Sequence, residues 1–157
     1  MLTLRRRGSR EDVSSFSAAG ERPVMLATLE VPFDEAAAAL AVDAAVECGQ
    51  TLIVANVVEM PLGPMCVLMG YGALDPSEEE ASKFRAPAEL AHALGVQVER
   101  LRVRSPHPAD ALLELVAERR PGLLVFGPDR SRLKPRVFRK VAKKIRERVT
   151  CLVWLSD

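Results

Sequence analysis

The last third of the chain, residues 122–155, constrains the fold more than any other stretch. It contains an apolar run that ends in Gly127, a loop rich in Arg and Lys, a basic amphipathic segment and a second apolar run, TCLVWL. A buried strand followed by a polar loop and a helix is typical of a parallel α/β sheet, in which ligands bind outside the carboxyl ends of the strands. We therefore expect any binding site to lie in this part of the chain.

Three further strands are predicted upstream from short runs of apolar residues. Val24–Leu29 is a continuous apolar run of strand length, which indicates a central strand, and residues 51–58 are rich in β-branched residues, which indicates a second buried strand. Residues 96–103 alternate imperfectly between apolar and charged side chains, which favours a strand nearer an edge of the sheet.

Helices are predicted between these strands from capping residues and apolar stripes. Asp34 is expected to cap the first helix. The second helix is predicted over residues 77–94 with Pro87 inside it, so it either kinks there or divides into two pieces. Pro108 fits the first position of the third helix, with His107 as its cap.

The alternation of strands and helices predicts one α/β domain. We expect an open, parallel, five-stranded sheet with helices on both faces, a doubly wound arrangement. A chain of 157 residues that is 48% hydrophobic is long enough for one core. Residues 1–22 are predicted to be a flexible tail and residues 23–157 the domain. The Met-rich and Gly-rich stretch 60–74 is predicted to cover one end of the sheet, or to form a pliable lid or partner surface.

The cysteines and the N-terminal residues indicate the compartment. Cys48, Cys66 and Cys151 are odd in number and lack the spacing of disulfide or zinc sites, which favours a reducing cytoplasm. The basic N-terminal residues are not followed by the apolar core of a signal peptide, and no stretch is long and apolar enough to span a bilayer. We expect a cytoplasmic protein without a transmembrane segment.

No known catalytic motif assembles in the sequence. GxSxG, HExxH, GxxxxGK[ST] and a GxGxxG after the first strand are all absent. Glu30, Asp34 and Asp129 follow predicted strands and could meet as metal or ribose ligands, but three acids at strand ends are common by chance. We therefore predict no catalytic residue and no metal site, and favour a non-enzymatic protein while leaving that question open.

The loop after Gly127 has the composition of an anion site. Arg130, Arg132, Lys134 and Arg136 lie close to the start of a predicted helix at Pro135. A helix N-terminus offers free N–H groups and Arg offers paired donors, and both favour an anion. Cations at that end otherwise cost ~0.3–1 kcal/mol each. The pattern therefore predicts a phosphate or carboxylate partner.

The helix after this loop is strongly basic. Residues 130–148 contain ten Lys or Arg residues and one acid, Glu147. The ordinary interpretation is a solvated face over a buried apolar stripe, and the alternative is binding of nucleic acid or of an anionic membrane surface. We disfavour nucleic acid here because Phe138 is the only aromatic residue in the run and is expected to face the core.

Three segments together resemble the universal stress protein family over residues 23–155. NVVE at residues 56–59 is similar to the end of that family's second strand, and HPADALLEL at residues 107–115 to the start of one of its helices. LLVFG with the following loop, helix and TCLVWL is similar to its last unit. The resemblance implies a five-stranded parallel α/β sheet and a homodimer paired through the final strand, here Cys151, Leu152, Val153, Trp154 and Leu155.

The family's ATP-binding motif is altered in this chain. ATP-binding members have an Asp that closes the first strand and a Gly-x-x-Gly loop with a later Gly-Ser/Thr, whose amides hold the phosphates. Here the first glycine is Gly127, Arg130 and Phe138 replace the next two, the spacing is shorter, and the Asp position falls on Leu29 or Glu30. Arg and Phe fill space that glycine leaves, so the resemblance implies an eroded or altered nucleotide site.

Three functions follow from these observations. The first is a dimeric regulatory or interaction module with no cofactor and a protein partner. The second is binding of ATP or another phosphate anion through Glu30, Gly127, Arg130 and Arg132. Adenine would then lie against Val57, and slow hydrolysis of ATP is an option. The third, disfavoured above, is binding of a polyanion through the basic helix.

Overall fold

A computed structural model describes residues 21–60 and 77–156 of the chain. The expectations for a flexible N-terminal tail and for the Met-rich stretch concern residues that lie mostly outside these ranges.

Five strands form one sheet in which every neighbouring pair is parallel. The order across the sheet is β3-β2-β1-β4-β5. The prediction of an open, parallel, five-stranded sheet is confirmed. The strands are β1 (Val24–Leu29), β2 (Leu52–Glu59), β3 (Val98–Ser105), β4 (Leu123–Phe126) and β5 (Leu152–Leu155).

β3 begins and ends later than the predicted strand 96–103. Val96 donates its N–H to the carbonyl of Ala91, and Gly95 has a φ of 83°, so both residues still belong to the end of the preceding helix. β3 is an edge strand, as predicted.

The helices of the described residues cover both faces of the sheet. They are α1 (Glu35–Cys48), α2 (Glu78–Ala93), α3 (Pro108–Arg119) and α4 (Pro135–Arg148). Because side chains alternate along a strand, Met25 and Ala27 of β1 belong to the core with α3 and α4, whereas Val24 and Leu26 belong to the core with α1 and α2. The doubly wound arrangement is confirmed.

The ends and the continuity of the helices follow local rules with one exception. The Asp34 carboxylate accepts the N–H of Ala37 at 3.0 Å, so the predicted cap of α1 is confirmed. α2 runs through Pro87 as one helix, and Pro87 is buried. His107 is the N-cap residue of α3 and Pro108 its first residue, as predicted, but the His107 side chain makes no capping hydrogen bond, and its N–H donates to Ser105 Oγ at 3.0 Å.

Candidate functional site

The strand order places the candidate site between β1 and β4. β1 leads to α1 on one face of the sheet, and β4 leads to α4 on the opposite face. A ligand crevice is expected at such a switch point, outside the carboxyl ends of the strands. We call residues 30–34 and 127–134, which follow β1 and β4 here, the crossover loops.

The two crossover loops are bonded to each other through their backbones. Asp34 N–H donates to the Gly127 carbonyl at 2.9 Å, and Asp129 N–H donates to the Pro32 carbonyl at 2.9 Å. Phe33 and Pro128 form an isolated antiparallel bridge. Since backbone groups satisfied in this way are not free, the loops offer a phosphate fewer amides than an open cradle would.

Gly127 is packed too tightly to face a ligand. A Cβ atom at this position would lie 2.1 Å from Cβ of Ala37 in α1. The Gly127 N–H donates to the Ala27 carbonyl at 3.0 Å, and its carbonyl accepts from Asp34 as described above. Close packing of α1 against the end of β4 therefore requires glycine here, whether or not a ligand binds.

Arg130 occupies the space beside α4. Its Cζ lies 3.6 Å from the centroid of the Phe138 ring, a cation–π contact. Its Nη1 donates to the Ser156 carbonyl at 3.0 Å. Phe138 in turn stacks on Phe126 at the end of β4, with ring centroids 5.6 Å apart. Arg130 and Phe138, which the sequence resemblance aligns with glycines of the family's motif, thus contact each other.

Ser156 connects this cluster to the end of β5, and no sequence pattern indicated its role. It is buried, its N–H donates to the Phe126 carbonyl at 3.1 Å, and its Oγ donates to the Pro128 carbonyl at 3.3 Å. A single serine after an apolar run has no pattern that would single it out. Together with Arg130 it fixes the end of β5 to the crossover loop after β4.

The other three cations predicted to bind an anion follow Arg130 in the sequence. One of them is paired with an acid and two are not. Arg132 Nη2 lies 2.6 Å from Glu80 Oε1 of α2, and this hydrogen bond lowers the pKa of the Glu80 carboxyl. The side chains of Lys134 and Arg136 are exposed and have no hydrogen-bonding or ionic partner within residues 21–60 and 77–156. They flank the first turn of α4, which contains no acid.

Glu30 and Val57 meet at the ends of β1 and β2. Glu30 has a φ of 60°, and its N–H lies 3.0 Å from Asn56 Oδ1 and 3.2 Å from the Val57 carbonyl. Its carboxylate accepts the N–H of Glu59 at 2.6 Å. The Val57 side chain is fully buried in the core with α3 and α4, so adenine has no exposed Val57 surface to contact in this conformation.

The three acids considered as metal or ribose ligands each accept a hydrogen bond from a backbone N–H. As described above, Glu30 accepts the N–H of Glu59, and Asp34 caps α1 by accepting the N–H of Ala37. Asp129 Oδ1 accepts hydrogen bonds from the N–H of Ser131 at 3.0 Å and from its hydroxyl at 2.6 Å. In the part of the chain that the structure describes, no three His, Cys, Asp or Glu residues are grouped to hold a metal ion.

Within the same residues, no helix has the length and apolar character needed to cross a membrane.

β5 forms the other edge of the sheet. It pairs with β4 on one side and with no described strand on the other. Leu152 is 75% exposed, and Trp154 packs partly on the core with α1 and α2. On the opposite face Cys151, Val153 and Leu155 pack against the core with α3 and α4, and partial burial raises the pKa of the Cys151 thiol.

Comparison with known proteins identifies the family. The sequence model of the universal stress protein family matches residues 21–156. This chain belongs to that family. The resemblance drawn from the sequence is confirmed, and the five-stranded parallel α/β fold is that of the solved universal stress proteins. No curated protein matches the chain.

Solved universal stress proteins share the fold at low sequence identity. One from Burkholderia pseudomallei is 18% identical with a TM-score of 0.59, covering 85% of this chain and 95% of that one. One solved in complex with cAMP is 22% identical with a TM-score of 0.55, covering 87% and 96%. One from Archaeoglobus fulgidus in complex with dAMP is 16% identical with a TM-score of 0.53, covering 85% and 96%.

Proposed function

We propose that this universal stress protein is a non-enzymatic regulatory or interaction module, a homodimer, whose nucleotide site is filled by its own side chains. The single observation that carries the proposal is the position of Arg130, stacked on Phe138 and bonded to the Ser156 carbonyl. In this position the guanidinium occupies space beside α4 that a glycine at position 130 would leave open, and one of its N–H groups is already bonded.

The packing of the crossover loops also supports a filled site. Gly127 is in contact with Ala37, and its N–H and carbonyl already have partners in β1 and in the other loop. A ligand that needed these amides would have to displace intramolecular hydrogen bonds, each worth about 0.5–1.5 kcal/mol. Nucleotide affinity is expected to fall accordingly.

The test is a thermal-shift titration of the full chain with ATP, AMP and inorganic phosphate at physiological salt. A ligand at 100 times its dissociation constant would add about 2.7 kcal/mol to the free energy of unfolding. For a domain of this size that corresponds to an increase in Tm of roughly 5–10 °C. We expect no shift with any of the three ligands.

Two variants make the test specific. Arg130→Gly restores glycine at the motif position, and a shift with ATP in this variant alone would support the view that Arg130 fills the site. Arg136→Ala, which removes an exposed cation of the same region, is the control and should behave as wild type. A saturable ATP shift in the wild type that Arg130→Ala abolishes would refute the proposal.

A second candidate, adenine-nucleotide or phosphate binding, rests on Lys134 and Arg136. These cations are exposed beside the first turn of α4, where an anion would be favoured. The solved relatives in complex with cAMP and dAMP give the same candidate a precedent within the fold. It predicts a wild-type shift that Arg136→Ala weakens, and hydrolysis would be checked by following phosphate release from ATP.

The dimer is proposed to form through β5, in a cytoplasmic protein. The open side of β5 presents main-chain groups beside exposed Leu152, and pairing with a second copy would cover both. A protein partner would then recognise the dimer.

A further inference from the structure

One face of α4 carries exposed positive charge that the fold does not use. Helical periodicity places four cations on the side opposite the buried stripe Phe138, Val141, Ala142 and Ile145. All four are exposed. We call this set the α4 basic face: Arg136, Arg139, Lys140 and Lys143.

The contacts of α4 separate this face from its paired flank. On the flank towards α3, Lys144 Nζ lies 2.8 Å from Asp110 Oδ1 and Arg148 Nη1 lies 4.0 Å from it. On the basic face, Arg136 and Lys140 have no ionic partner among the described residues.

The two other cations of the basic face have only weak partners. Lys143 has an exposed contact with Glu147 at 3.8 Å, and Arg139 Nε reaches only the Pro135 carbonyl of its own helix, at 3.4 Å. Exposed pairs of this kind contribute little. The charge of the face is therefore almost unneutralised by the chain itself.

This arrangement disfavours the helix in isolation. Like charges three and four positions apart repel each other, as Arg136, Lys140 and Lys143 do. Arg136 and Arg139 also lie near the helix N-terminus, where cations are unfavourable, and no acid is present in the first turn. Phosphates from outside the molecule would relieve both effects.

The apolar side of α4 decides between the two polyanions considered for it. An amphipathic helix that binds a membrane inserts its apolar side into the lipid. The apolar side of α4 is already buried against the sheet and α3, so it is not available for insertion into lipid, whereas contacts with a phosphate backbone need only the exposed cations. We propose that the α4 basic face binds the phosphate backbone of double-stranded nucleic acid.

A duplex backbone also fits the length and chemistry of this face. Residues 136–143 span roughly 11 Å along the helix axis, and a duplex carries one negative charge per about 1.7 Å. Several phosphates thus lie within reach of four cations. The absence of an exposed aromatic residue on α4 argues against base stacking on single strands and does not bear on phosphate contacts. The binding is therefore independent of base sequence.

The groove between α3 and α4 carries charges of both signs. It is lined by the acids Asp110, Glu114 and Glu118 of α3 and by the cations Arg119, Arg120, Lys144 and Arg148. Because these charges largely offset one another, we assign the contact to the basic face, which engages about four phosphates. The expected slope of log K against log salt is then about −3.6, or an affinity loss of roughly 100-fold between 50 and 200 mM salt.

The experiment measures fluorescence anisotropy of labelled duplexes of about 20 base pairs, one of DNA and one of RNA, with the full chain. The variant Arg136→Gln/Lys140→Gln/Lys143→Gln should weaken binding at least about 10-fold and bring the salt slope close to −1. The matched control Arg22→Gln/Lys83→Gln/Arg100→Gln removes the same charge from exposed positions outside α4 and should change affinity less than about 3-fold. The two duplexes show whether DNA or RNA is the preferred source of the backbone.

Other outcomes overturn the proposal. These are no binding at 50 mM salt, equal losses in the two triple variants, or competition by polyglutamate or anionic lipid vesicles as effective as that by duplex. The single variant Lys140→Glu, at an exposed position, gives the same readout if the triple variant does not fold. An unchanged Tm in each variant shows that lost binding is not lost folding.

Discussion

Gly127, which the sequence resemblance aligns with the first glycine of a nucleotide-binding motif, is a packing residue in the structure. The missing side chain lets α1 approach the end of β4, where a Cβ would lie 2.1 Å from Ala37 Cβ. Interiors are close-packed, so this approach cannot be relaxed without moving α1. Glycine at this position is therefore explained by the fold, and its presence alone is not support for phosphate binding.

Gly127→Ala is predicted to lower the free energy of unfolding by about 1–3 kcal/mol, the usual cost of overpacking a core. Ala37→Gly alone should cost about 1 kcal/mol because glycine disfavours a helix. In the double variant the clash is removed, so the total loss should be smaller than the sum of the single losses. Urea denaturation of all four proteins measures this coupling. Strict additivity would contradict the packing explanation.

At the scale of elements, ion pairs connect helices to their neighbours on the surface. Asp110 joins the start of α3 to the end of α4 through Lys144, and Glu80 joins α2 to the crossover loop through Arg132. In each case the hydrogen bond to the cation lowers the pKa of the carboxyl. Both carboxylates are solvated, so these contacts orient the elements more than they stabilise them.

The lowered pKa of Asp110 predicts a pH dependence of stability. A carboxyl whose pKa is lower in the folded state stabilises the fold above its unfolded pKa, and this contribution is lost as pH falls through the folded pKa. Asp110→Asn should therefore be less stable than wild type at pH 7, with a deficit that shrinks below about pH 4. Urea midpoints between pH 7 and pH 3 measure it. Glu118→Gln is the control, and a deficit independent of pH would contradict the ion-pair explanation.

At the scale of the whole molecule, the two edges of the sheet differ in character. β3 carries the exposed charges Arg100, Arg102 and Arg104, a composition that disfavours pairing with another strand. β5 is apolar and presents Leu152 at 75% exposure. If the sheet continues into a second copy, it continues at β5.

Leu152→Asp is accordingly predicted to convert a dimer into a monomer, because it places a charge in the proposed interface. Leu90→Asp, at a leucine of α2 that is 52% exposed, is the matched control and should remain dimeric. Sedimentation velocity at micromolar concentration distinguishes the two states. A monomeric wild type, or the same result for both variants, would contradict pairing through β5.

Much of the fold followed from local patterns. Apolar runs predicted four of the strands closely, because a buried parallel strand is apolar along its whole length. Asp34 and Pro135 marked helix starts that the structure confirms, since capping and a fixed φ act within one turn. Local patterns did less well for the bounds of β3, which were shifted by the hydrogen bonds that end α2, and they did not indicate that the His107 side chain would make no capping hydrogen bond.

The sequence by itself determined the fold class and the family, because both depend on the order of short apolar and polar segments along the chain. It also placed the basic residues after Gly127. Only the tertiary structure decided what those residues contact: Arg130 the ring of Phe138 and the carbonyl of Ser156, Arg132 the carboxylate of Glu80. These partners are distant in sequence, or become neighbours only through loop geometry. No local pattern could therefore indicate which cations of the candidate site make internal contacts and which face solvent.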